Sequence, residues 1–143
     1  MSSTENSILV TEKQVSDIMK DIRSRIEALF NKYTDDNRKI PALPKFEDLM
    51  KSDKLRYELS KSLTDCIDEL NSIKLRISIV RRSLDDFRKL QATRSDYSLV
   101  ANFKKNLEAW DEELSGYRFD IGDLIKNANN KLRVLESVAF YNE

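Results

Sequence analysis

Two long rows of apolar residues dominate the chain. One runs Leu59, Leu63, Cys66, Leu70, Ile73, Ile77, Val80, Leu84, Phe87. The other runs Phe103, Leu107, Trp110, Leu114, Tyr117, Ile121, Leu124, Ala128, and on to Leu135 and Val138. Both alternate steps of four and three, the spacing that keeps an apolar stripe on one side of an α-helix. If the chain reverses near residue 95, the rows face each other in register. Phe87 then meets Phe103, Val80 meets Trp110, and Leu63 meets Ala128, with the paired numbers summing to 190 or 191 throughout. Two antiparallel helices require such a constant sum.

The flanking positions set the expected boundaries. Residues 1–10 read as a flexible lead. Thr11 and Gln14 have the spacing of a capping box. A first helix over about 11–34 follows, with Val15, Ile18, Ile22, Ile26, Leu29 and Tyr33 on its apolar side. The turn-rich run Thr34, Asp35, Asp36, Asn37 is its expected end. Pro41 and Pro44 bar a continuous helix through the linker, residues 35–43. A second helix is predicted over about 44–91, with a kink or brief break near 52 where Ser52 and Asp53 offer a new cap. Ala92–Asp96 is the predicted turn, with Ser95 or Asp96 capping a third helix over about 96–140. Gly116 and Gly122 lie inside that helix, each costing about 1 kcal/mol relative to Ala.

The pattern therefore predicts one all-α domain over residues 11–143. It is an up-down-up three-helix bundle whose second and third helices form a long projecting antiparallel coiled-coil hairpin. The first helix is expected on the end away from the turn, where Ile67, Ile125 and Leu132 add apolar surface. Near the turn the same flank carries Lys74, Arg81, Arg88 and Lys104, which predicts an uncovered two-helix arm.

Composition agrees with long helices. Of 143 residues, 35% are charged, and there are only two Gly and two Pro. Lys+Arg and Asp+Glu both number 25, so net charge implies no bulk attraction to nucleic acid or membrane. Cys66 stands alone on a seam, which suits a small buried hydrophobe in a reducing compartment. No apolar run approaches the ~18 residues a membrane-spanning helix needs. The polar start, broken only by Ile8-Leu9-Val10, does not read as a secretory signal. These features place the protein inside the cell, in cytoplasm or nucleus.

Candidate chemistry is sparse. With no histidine, the commonest general base and most transition-metal sites are missing, and the two glycines build no phosphate loop. The reading is of a non-enzyme with no catalytic residue, no cofactor and no metal. Two partner-binding features remain. Leu75, Ile79 and Phe119 fall off the seams and suit contact with other helical or coiled-coil proteins, in a hetero-complex or a homodimer. Residues 74–94 hold seven basic against two acidic residues, a net of +5. Arg81 is expected opposite Asp111 and Arg76 opposite Glu113, whereas Arg82, Arg88, Lys89 and Arg94 have no evident acidic partner. The first reading is a small coiled-coil subunit or adaptor of a larger assembly. The alternative is an arm whose basic tip contacts an anionic protein tail, a phospholipid surface or nucleic acid. Nucleic acid is the least favoured, since no aromatic residues interleave the charges.

Overall fold

A computed structural model describes residues 12–91 and 97–141, with side chains from residue 16 to 89 and from 104 to 141. The proposed lead, the capping box at Thr11 and Gln14, the turn at Ala92–Asp96, Arg94 and the Phe103 side chain lie outside those residues. The fold is all-α. Helix accounts for 94% of the described residues, so nearly every contact is made from a helix. The helices are α1 (Glu12–Lys39), α2 (Phe46–Lys51), α3 (Asp53–Gln91) and α4 (Tyr97–Tyr141).

Helix α1 continues five residues past the end its turn-rich run suggested. Pairs one turn apart support the extra length: Lys39 lies 3.2 Å from Asp35, and Lys32 3.9 Å from Asp36. Arg38 and Lys39 also place positive charge at the negative end of the helix dipole. The helix stops just before Pro41, which disfavours helical geometry in the residue preceding it.

The kink or brief break expected near 52 is a one-residue break. Ser52 is extended (φ −134°, ψ 105°) and separates α2 from α3. Its hydroxyl accepts the Leu55 amide at 3.1 Å, so one exposed amide of the new helix is satisfied there. Pro44 stays outside α2, whose first turn closes instead on the Lys45 carbonyl.

Packing divides the chain into two compact units. Unit 1 takes α1 up to Phe30, α3 from Arg76 and α4 up to Tyr117; unit 2 takes α1 from Asn31, all of α2, α3 up to Leu75 and α4 from Arg118. In unit 1, Ile22, Ile26 and Leu29 of α1 are buried, as are Ile77, Val80, Leu84 and Phe87 of α3 and Leu107 and Leu114 of α4. In unit 2, Leu49, Leu63, Ala128, Leu135 and Val138 form one core cluster, edged by Ile40, Leu43, Leu59, Ile67 and Leu132. The α3 row is inside along its described length from Leu63 to Phe87, whereas on α4 Trp110, Tyr117 and Leu124 are only half-buried.

Unit 1 corrects one expectation. The arm predicted to be uncovered has α1 packed on it, on the side of α4 away from Arg81 and Asp111: Arg23 contacts Trp110 and Glu113, and Phe30 meets Tyr117. On that side α1 brings a guanidinium to an acid on α4. The resulting pair leaves the apolar row Ile22, Ile26 and Leu29 free to pack.

Candidate functional site

The residues singled out for partner binding fall on α3 and α4. Leu75 and Ile79 sit one turn apart on α3 and are 65% and 53% exposed. The inward row of the same helix is already complete with Ile73, Ile77 and Val80. Leu75 and Ile79 are therefore surplus to the core, and solvating them forgoes the gain of about 1.5–3 kcal/mol per side chain that full burial brings. Phe119, on α4, is likewise exposed at 71%.

The basic run is less bare than its sequence suggested. Asp85 takes both Arg88 and Lys89, each at 3.1 Å. Hydrogen bonds from Lys89 and then Arg88 hold the Asp85 carboxyl below its ordinary range. The reading that Arg88 and Lys89 lack acidic partners is therefore corrected: the partner lies one turn back on their own helix, a spacing that favours such pairs. Arg81 does meet Asp111, through Nε at 2.8 Å and Nη2 at 3.3 Å, a two-point grip that raises the Arg81 pKa. Arg76 does not get Glu113. That carboxylate is taken by Arg23 at 3.0 Å and by the Tyr117 hydroxyl at 2.7 Å. Arg82 is exposed and has no ion pair among the described residues.

These groups surround an open groove of about 440 Å³ in unit 1, whose walls include Arg81, Arg82, Asp85 and Arg88 of α3 and Leu107 and Asp111 of α4. Carboxylates already occupy Arg81 and Arg88, and Arg82 keeps its donors for a further anion. Lys89 does not line the groove.

Among the described residues, no group of three or more His, Cys, Asp or Glu could hold a metal ion, and no helix is long and apolar enough to cross a membrane. Cys66 is buried, and burial, followed by the nearby Asp36 and Glu69 charges, pushes its thiol pKa up, away from the nucleophilic thiolate.

Three polar side chains fall on the apolar rows; Lys131 reads from the sequence as the one polar residue on the third helix's seam, whereas Asp36 and Arg56 were missed though the heptad spacing marks them. Continuing the α1 row past Tyr33 reaches Asp36; stepping the α3 row back from Leu59 reaches Arg56; the α4 row between Ala128 and Leu135 contains Lys131. Arg56 is buried and donates to the carbonyls of Leu49 and Met50 while pairing with Asp53, which caps the end of α2. Lys131 donates to the Pro41 carbonyl at 2.9 Å. Asp36 is fully buried.

Comparison with known proteins finds no family model, no curated protein and no solved structure that matches this chain.

Proposed function

We propose that the chain is a non-enzymatic protein–protein interaction module, a small coiled-coil subunit or adaptor of a larger intracellular assembly in cytoplasm or nucleus. Its helices run up-down-up, with α3 and α4 as a long antiparallel coiled-coil hairpin. Two observations support that topology: the shared core of Leu63 with Ala128 in unit 2, which is in register, and the Arg81–Asp111 pair in unit 1, one residue off it.

The observation that carries the functional reading is the solvated pair Leu75 and Ile79 beside a completed inward row. A partner helix laid over them would bury apolar surface the chain does not need for its own core. Phe119 adds a further exposed anchor on α4. The lone thiol supports a reducing compartment.

A second reading rests on the groove at Arg82. Its unpaired guanidinium suits a carboxylate or phosphate presented by a partner. Affinity capture with mass spectrometry separates the two. If the apolar pair is the docking surface, Leu75→Asp with Ile79→Asp loses the native partners while Arg82→Glu keeps them. If the groove is, the pattern reverses and binding weakens with added salt. Light scattering of the pure protein adds the third outcome, since a dimeric mass at micromolar concentration makes a second copy the partner.

A further inference from the structure

Asp36 occupies an inward position of α1 and is fully buried, yet neither carboxyl oxygen accepts a hydrogen bond from a donor group among the described residues. Its nearest cations stand off, Lys32 at 3.9 Å and Lys39 at 4.0 Å. Both are shared. Lys32 lies 3.9 Å from Glu69 of α3, and Lys39 is held more closely by Asp35 at 3.2 Å. An ionised carboxylate without hydrogen bonds is among the most costly groups to bury. The same side chain in its protonated form carries a donor, and Glu69, which shares Lys32 with it at 3.9 Å, offers a carboxylate acceptor on the facing helix.

We infer that Asp36 and Glu69 form an acid-strengthened latch that holds the last turns of α1 against α3 and loosens as the pH rises toward neutrality. When Asp36 is protonated, its hydroxyl donates to Glu69 and the end of α1 is locked down over Cys66. When it ionises, two carboxylates face each other with only stand-off lysines between them, and the end of α1 opens more often.

The titration fits this geometry. Burial first, and then Glu69, push the Asp36 pKa up from 3.8 to about 6. The hydrogen bond to Asp36 and the Lys32 charge lower that of Glu69 below 4.5. A carboxyl that binds its proton more tightly when closed takes up a proton on closing. Its contribution is complete below its ordinary pKa and disappears as pH rises through about 6. Glu69 acts in the opposite sense, contributing above 4.5 and losing that contribution as pH falls through its lowered value. The latch is therefore tightest around the two ordinary values, 3.8 and 4.5, and weakens steadily from there as pH rises to about 6. The charged groups facing it are Lys32, Asp35 and Lys39 on α1 and Asp65 and Glu69 on α3, with Cys66 between; Asp120 of α4 acts on Tyr33 instead.

Asp36→Asn tests the latch, because it keeps the shape and donates to Glu69 at every pH. Two readings are taken from pH 4.5 to 8: the thermal midpoint, and the rate at which 4,4′-dithiodipyridine labels Cys66. The wild-type midpoint should fall relative to the variant as pH rises through about 6. Above that pH the variant's Cys66 should label several-fold more slowly than wild type. A purely electrostatic effect would run the other way, since removing the Asp36 charge lowers the thiol pKa and speeds labelling. Parallel midpoint profiles, or equal or faster labelling of the variant at pH 8, overturn the proposal. If the variant loses helix by circular dichroism, Glu69→Gln replaces it. Glu69→Gln removes a charge that raises Asp36, so the wild-type decline should move to lower pH, and an unmoved decline overturns the latch.

Discussion

The two units contain the same kinds of residue and dispose of charge differently. In unit 1 every described inward position is apolar or aromatic: Ile22, Ile26 and Leu29 on α1, Ile77 to Phe87 on α3, Leu107 to Tyr117 on α4. Its charges stand beside the seam and meet opposite charges there, Arg23 with Glu113 and Arg81 with Asp111. In unit 2 three inward positions are charged, Asp36, Arg56 and Lys131. The difference follows from where the chain changes direction. Unit 2 contains the α1–α2 linker and the break at Ser52, and both leave backbone carbonyls with no helical partner. Arg56 and Lys131 are donors, and each finds such a carbonyl. Asp36 is an acceptor and accepts no hydrogen bond, with Lys32 and Lys39 standing off at 3.9 and 4.0 Å. Chain reversals inside a helical core thus tolerate buried cations better than buried anions.

The largest test of this contrast is a cavity in unit 1. Ile26 is fully buried, and Ile26→Ala should cost about 2–5 kcal/mol in urea unfolding. A cost below about 1 kcal/mol would mean that α1 does not pack there, and would remove unit 1's claim to an apolar interior. Next comes Arg56→Met, which preserves bulk but strips the donors from two carbonyls at the end of α2. A loss of about 1.5–3 kcal/mol is expected, and a neutral result would show water satisfying those carbonyls as well as the guanidinium does.

A smaller effect, of opposite sign, is expected at the α4 glycines. Neither has positive φ, and a Cβ built on either meets nothing within 4 Å. Gly116→Ala should therefore raise stability by about 0.5–1 kcal/mol in thermal unfolding. A loss instead would point to a partner that needs the bare backbone. The smallest effect belongs to the half-exposed pair in unit 1. A double-mutant cycle on Arg23→Met and Glu113→Gln should give a coupling of about 0.2–1 kcal/mol, reduced by salt. A coupling of several kcal/mol would reverse the contrast, making charge the main fastening of unit 1.

Much of this architecture was legible in the linear pattern. The step of fours and threes marks which residues of α3 turn inward, because a helix has a fixed 3.6-residue period whatever it packs against. Ser52 and Pro41 mark breaks because their effects on the backbone are local. The register read from the constant sum of the seam pairs puts Arg81 within one residue of the level of Asp111, near enough for their flanking side chains to meet. The true end of α1 could not, since turn-forming residues were outweighed by side-chain pairs one turn apart and by a proline farther on.

What the chain decides alone is periodicity, because it depends only on neighbours along one helix. What it leaves to tertiary structure is which helix covers which flank, and therefore which charges find each other. Glu113 could have gone to Arg76 on α3 or to Arg23 on α1, and only the packing of α1 chose Arg23. Asp36 falls on the apolar row in the sequence, but its burial without a partner exists only once α1 lies against Glu69 and Cys66. Burial is a property of the assembled helices, and it is burial first that pushes the Asp36 pKa up to about 6.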